Sequence, residues 1–165
     1  MKRTIRVLAM LMIFLLTATM AVACQKEEPK EEGSAFAVTL GEVTVALGRP
    51  AEPILSALGA PKSQSEVFDC GEGNSRIRYR YDSLTVYTMK SDGKEVVDQV
   101  ELMDDLAQTS RGICIGDDEA KVREAYGNPT SDKNGVITYS KSSMQLLFEI
   151  ENGKVSAIGL LRKTR

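Results

Sequence analysis

Two stretches of this chain align with each other without a gap. Residues 47–61 read LGRPAEPILSALGAP and residues 115–129 read IGDDEAKVREAYGNP, an offset of 68. Gly48 matches Gly116, Ile54 matches Val122, Ala57 matches Ala125 and Leu58 matches Tyr126; Gly59 matches Gly127, and Pro61 matches Pro129. Internal likeness of this kind points to a repeated structural unit. Each stretch predicts a short helix, because Ile54, Ala57 and Leu58, like Val122, Ala125 and Tyr126, sit at i, i+3 and i+4 and share one helix face. Asp117 reads as an N-cap, with Asp118 and Glu119 complementing the positive helix start. Gly127 then Pro129, and Gly59 then Pro61, read as stops: a glycine in the left-handed conformation, then a residue that cannot continue the helix. In the first copy Pro50 suits a first turn but Pro53 removes a backbone donor, which moves the expected start to about Glu52.

Strand patterns follow each helix. Ile77, Tyr79 and Tyr81 alternate with Arg78 and Arg80; Leu84, Val86 and Thr88 alternate with Thr85, Tyr87 and Met89; a third run spans Val96 to Met103. The second copy has Val136 to Ser140, Met144 to Ile150 and Val155 to Leu161. Met144, Leu146, Phe148 and Ile150 form the period-two stripe of a half-buried strand. Asp92-Gly93 and Asn152-Gly153 are hairpin signals. Val100 and Leu102 match Ile158 and Leu160, so the third strand repeats too. The expected fold is α+β: a tandem repeat of a short helix followed by a three-stranded antiparallel meander, over residues 36–108 and 109–165. A short helix cannot bury its own apolar face alone, and packing on the meander buries both. Residues 36–47, FAVTLGEVTVAL, add an expected edge strand whose register is ambiguous at Gly41.

The first residues carry Lys2, Arg3 and Arg6, and Val7 to Ala23 then run without a charge. A spanning helix needs about 20 apolar residues, so this run is marginal as a permanent span. A basic start, an apolar middle and small residues at the end describe an export signal over residues 1–23. Ala21, Val22 and Ala23 stand directly before Cys24, which resembles the lipobox of bacterial lipoproteins; leucine is usual three places before the cysteine, where this chain has Ala21. The resemblance implies diacylation of the Cys24 thiol and cleavage before it. The alternative is ordinary secretory cleavage after Ala23, leaving Cys24 as a plain N-terminal thiol. Residues 25–35, QKEEPKEEGSA, hold no large apolar side chain, so residues 24–35 read as a lipidated cysteine and disordered tether. Two acyl chains suffice for stable anchoring. Loss of the first 23 residues takes three basic side chains with it and moves the formal net charge from −2 to −5. That balance argues against general nucleic-acid binding.

The stretch GICIGDDEAKVREAYGNP, followed by ITYSKSSMQLLFEIENGKVSAIGLL, is similar to a module of surface lipoproteins of clostridia-like Gram-positive bacteria. The first half, with FDCGEG, YRYDSLTVYTMKSDGKEVVDQVELMDD and TSRGICIGDD, looks like the part that precedes it in such proteins. The resemblance runs from about Val38 and brings no biochemical activity with it. In arrangement, tandem helix-plus-meander modules are similar to the β-lactamase-inhibitor-protein fold and to outer-membrane assembly lipoproteins of the BamE/SmpA type. That likeness implies a binder or scaffold.

The chain has no histidine, so Ser-His-Asp and Cys-His arrangements are impossible. With Cys24 set aside, only Cys70 and Cys114 remain, too few for the usual zinc sites. In an exported chain the pair reads as a disulfide candidate, closing a loop of about 45 residues for roughly 4 kcal/mol. The alternative is two separate thiols, with ICIG a buried apolar run. Asp117, Asp118 and Glu119 lack the alternating spacing of a calcium loop, and Asp104 and Asp105 read as a solvated turn. Arg78, Tyr79, Arg80 and Tyr87 form a candidate recognition surface, since Tyr and Arg are enriched at binding hot spots. The alternative has the tyrosines in the core and the arginines on a solvated face. The expectation is therefore a non-enzymatic binding or scaffold protein, lipid-anchored through Cys24 on the extracytoplasmic face of the cell membrane. It has an unknown protein partner, no catalytic residue, no metal, no cofactor and no nucleic acid. Alternatives are a protein inhibitor of a cell-wall or secreted enzyme and a carboxylate-based cell-wall hydrolase.

Overall fold

Period-two patterning governs most of the folded chain. The computed structural model describes residues 36–68 and 75–163. The strands are β1 Ala37–Leu40, β2 Val43–Ala46, β3 Ser63–Phe68, β4 Ser75–Arg80, β5 Leu84–Ser91, β6 Lys94–Leu102, β7 Ala107–Thr109, β8 Ser131–Lys133, β9 Val136–Lys141, β10 Met144–Glu151 and β11 Lys154–Arg162. The helices are α1 Ala51–Leu58, between β2 and β3, and α2 Glu119–Tyr126, between β7 and β8. Two antiparallel sheets result: a small one in the order β2-β1-β7 and a large one in the order β3-β4-β5-β6-β11-β10-β9-β8.

This corrects the expected α+β tandem of a short helix and a three-stranded meander. Among the described residues 56% lie in strands and 13% in helices, which makes the molecule mostly β. β3 and β8 were not legible as strands because SQSEVF and SDK carry no apolar stripe; both are edge strands, held by backbone pairing to β4 and β9. Residues 37–46 form a hairpin, not one edge strand: Gly41, at φ 58°, turns β1 back on β2, and the pair joins β7 in its own sheet. β6 pairs with β11, so Val100 faces Leu160 and Leu102 faces Ile158 across one continuous sheet.

The likeness between residues 47–61 and 115–129 survives as two local crossings. Gly48 N–H donates to Val97 O at 2.7 Å and Val97 N–H to Arg49 O at 3.0 Å; Gly116 N–H donates to Val155 O at 2.8 Å and Val155 N–H to Asp117 O at 2.9 Å. Gly48 and Gly116 both have positive φ, 76° and 92°, which costs a residue with a Cβ more than glycine. α1 begins at Ala51, one residue before the expected start. Its Pro53 lies in the first turn, where backbone donors have no intrahelical acceptor in any case. α2 is preceded by Asp118 as N-cap without a side-chain capping bond, so Asp117 is not the cap. Gly59 (φ 81°, ψ −157°) and Gly127 (φ 74°, ψ −144°) end the helices with positive φ as expected. Their ψ values lie in a glycine-only region outside the left-handed helical well. Pro61 and Pro129 stand half-buried in the loops that lead to β3 and β8.

Register places the core on one face of the large sheet. Leu84, Leu102, Ile158, Phe148 and Ile137 form one row across five strands, and Val86, Val100, Leu160, Leu146 and Tyr139 the next. All are buried, in one cluster with Val38 and Val45 of the small sheet, Ala51 and Ile54 of α1, and Val122 of α2. Tyr126 of α2 closes this side, its ring centroid 5.2 Å from that of Tyr139 and 5.5 Å from that of Phe148.

Candidate functional site: the open face of the large sheet

Since alternate residues of a strand point to opposite faces, burying one set directs the other outward. The helices and the small sheet cover the Leu84–Ile137 side; among the described residues no element covers the other. Arg80, Thr85, Glu101, Gly159, Leu147 and Thr138 lie in one row there, and Arg78, Tyr87, Gln99, Leu161, Gln145 and Ser140 in the next. Between Tyr87 and Thr88 the register with β6 shifts, so that Asp98 is an extra residue on β6; Ser156 is the corresponding extra residue on β11. Bulges of this kind re-aim side chains.

A polar network runs across strands β4 to β6. Tyr87 Oη donates to Glu101 Oε2 at 3.1 Å, Gln99 Nε2 to Glu101 Oε1 at 2.8 Å, and Arg76 Nη1 to Gln99 Oε1 at 3.2 Å. Arg76 Nε lies 3.1 Å from Asp98 Oδ2, and Arg162 Nε 3.5 Å from Asp98 Oδ1. The Asp98 side chain is only 5% exposed, so the bulge holds a buried carboxylate between two guanidinium groups. Burial pushes the Tyr87 hydroxyl above its ordinary pKa and the Glu101 carboxylate adds to this, while Arg78 pulls the other way. The tyrosine is therefore a neutral donor at physiological pH.

Beside this network the face turns apolar. Leu147, Leu161 and Met103 stand outward around Ala157 and Gly159, above a depression of about 470 Å³ that Glu101 and Glu149 also line. Met103, just past the end of β6, is 44% exposed.

The sequence-predicted residues divide cleanly. Arg78, Arg80 and Tyr87 share the open face, with Arg78 directly across from Tyr87. Tyr79 does not join them. It points to the opposite face, where its hydroxyl and that of Thr88 donate to Glu95 Oε1 at 3.0 and 2.6 Å. A second depression of about 470 Å³ lies there, lined by Gln64, Glu66, Ile77, Thr88 and Glu95. Asp117 serves the loop before α2: its Oδ2 accepts from Cys114 N–H at 2.9 Å and from Lys121 Nζ at 2.8 Å. Burial alone would raise the Asp117 pKa, but the bonds from Lys121 and Cys114 outweigh it and hold the carboxyl below its usual range. Cys114 is a half-buried thiol, its Sγ 3.4 Å from Asp117 Oδ2. Cys24 and Cys70 lie outside the described residues.

Sequence reasoning missed Asp98, Gln99, Glu101, Leu147, Gly159 and Leu161. The available signal was an outward leucine where alternation calls for a polar residue, in QLLFE and IGLLR. Among the described residues no group of three or more Cys, Asp or Glu is placed to hold a metal ion, and no helix is long and apolar enough to cross a membrane. Comparison with protein-family models, with curated proteins and with solved structures gave no match.

Proposed function

We propose that this protein is a lipid-anchored extracytoplasmic binding protein that engages a protein partner through the open face of its large sheet. The observation that carries the reading is that face itself. It sets a Tyr87–Glu101–Gln99–Arg76–Asp98 network beside outward Leu147, Leu161 and Met103. Arginine and tyrosine beside half-exposed aliphatic side chains is a composition found at interface hot spots. The export signal and the small-residue gate before Cys24 support the anchor and the compartment.

Two experiments test the reading. In a bacterium that processes lipoproteins, wild type fractionates with membranes and carries the mass of two acyl chains on Cys24, and Cys24→Ser is released; an unmodified wild-type Cys24 removes the anchor. A photo-crosslinking side chain placed at Leu161 on the open face traps a discrete protein, whereas one at exposed Glu124 on α2 does not. Equal trapping from both positions, or none from Leu161, removes the binding face. If the trapped protein is an enzyme that loses activity on binding, the role is inhibition; if its activity persists, the role is scaffolding.

A further inference from the structure

Gly159 sits in the middle of β11, and β11 sits in the middle of the large sheet. Glycine in a strand interior costs backbone entropy and leaves nothing to pack, so its presence needs a cause. Backbone conformation is not the cause, because Gly159 is not among the residues with positive φ. Crowding is not the cause either: a Cβ added there would meet nothing closer than Leu161 Cδ2 at 4.0 Å, an ordinary contact. Its neighbours Ile158 and Leu160 are buried in the core, so the missing side chain belongs to the open face. The space is therefore kept clear on the outside of the protein.

The surroundings of that space define what enters it. Leu147 stands directly across on β10 and Glu101 directly across on β6; Ala157 and Glu149 pair one row along. Leu161, Met103 and, from the loop before α2, Ile115 add to the apolar wall. The charged residues lining the depression are Glu101 and Glu149, both acidic, and no basic residue joins them among the described residues. Both Glu101 oxygens already accept bonds, from Tyr87 and Gln99. Glu149 is exposed, and none of the ion pairs among the described residues involves it. Apolar walls leading to an unpaired carboxylate match one side-chain type, a long aliphatic stem with a cationic head.

Resting on the binding-face reading above, we propose that the notch over Gly159 receives an arginine or lysine side chain of the protein partner. The stem lies along Leu147, Leu161 and Met103, and the head reaches Glu149. The probe is n-butylguanidinium, titrated into the folded protein with the Gly159 and Ala157 amides followed by NMR. Saturable shifts at millimolar concentration are expected, with n-butanol producing none at the same concentration. Glu149→Gln weakens the response at least threefold, and Gly159→Leu, which fills the notch without backbone strain, abolishes it. Equal responses to butanol and butylguanidinium, or no response in wild type, overturn the cation assignment. The crosslinking experiment separates this inference from its parent. Trapping from Leu161 that Gly159→Leu leaves unchanged overturns the notch and leaves the binding face standing. Trapping that Gly159→Leu reduces at least tenfold supports both.

Discussion

Tyr79 and Asp98 show how this molecule places polar groups where a sheet would ordinarily put apolar ones. Tyr79 points toward the covered side, near its rim, and shares Glu95 with the fully buried Thr88. Burial, then the hydrogen bond and the charge of Glu95, push its hydroxyl up to about 12. Tyrosine is neutral when protonated, so a raised folded-state pKa favours folding while the proton is bound. The contribution is complete below pH ~10, the unfolded value, and is lost as pH rises through about 12. A spectrophotometric titration at the tyrosinate band is expected to show one tyrosine ionising near the top of that window. Glu95→Gln is expected to bring it down, because the carboxylate's repulsion of the phenolate is gone. An unchanged curve would mean that burial alone holds the proton. Asp98 makes the opposite demand, since a carboxylate 5% exposed needs its cations. Arg76→Met leaves it facing Arg162 at 3.5 Å. The expected loss is about 2 kcal/mol, in the range for hydrogen bonds to charged groups, read from urea denaturation. A loss below roughly 0.5 kcal/mol would place the pair with ordinary surface ion pairs.

The strands owe their order to turns as much as to stripes. Asp92-Gly93, Asn134-Gly135 and Asn152-Gly153 each place two residues at positive φ, the backbone twist that matches flanking antiparallel strands. The first and third were legible in the sequence as hairpins. The second was not, because β8 before it spans three polar residues and offered no stripe to pair. The three turns are not equally tolerant. An added Cβ at Gly153 would meet nothing within 4 Å, whereas one at Gly135 would come 3.2 Å from Ile150 O, which belongs to a neighbouring strand. Gly153→Ala is therefore expected to cost about 1–2 kcal/mol for the left-handed backbone alone. Gly135→Ala should cost measurably more, because a hydrogen-bonded strand cannot move aside freely. Thermal or urea unfolding of the two variants ranks them, and the reverse order would contradict the contact.

At the scale of the whole molecule, the joint between β6 and β11 makes one core out of two stretches of chain. Val100 and Leu102 face Leu160 and Ile158 there, and the buried cluster runs without a break from Leu84 to Tyr139. Unfolding is therefore expected to be a single transition, with tyrosine fluorescence and far-ultraviolet circular dichroism giving the same midpoint. Leu160→Ala should lower both midpoints together, with a loss of stability of about 2–5 kcal/mol. Two separated transitions would mean that residues 36–108 and 109–163 unfold independently. The strands between Val136 and Leu161, the hairpins at Asp92 and Asn152, and the alternation of Arg78 and Arg80 with Ile77, Tyr79 and Tyr81 could all be read along the chain. Local alternation and turn chemistry act between near neighbours, and they decide such features without help from distant residues. The pairing of β6 with β11, the separate sheet of β1, β2 and β7, and the notch at Gly159 could not be read that way. Backbone edges bond to one another whatever their side chains, so only the burial of a shared apolar face, settled in three dimensions, selects which edges meet and which outward leucines come to lie side by side.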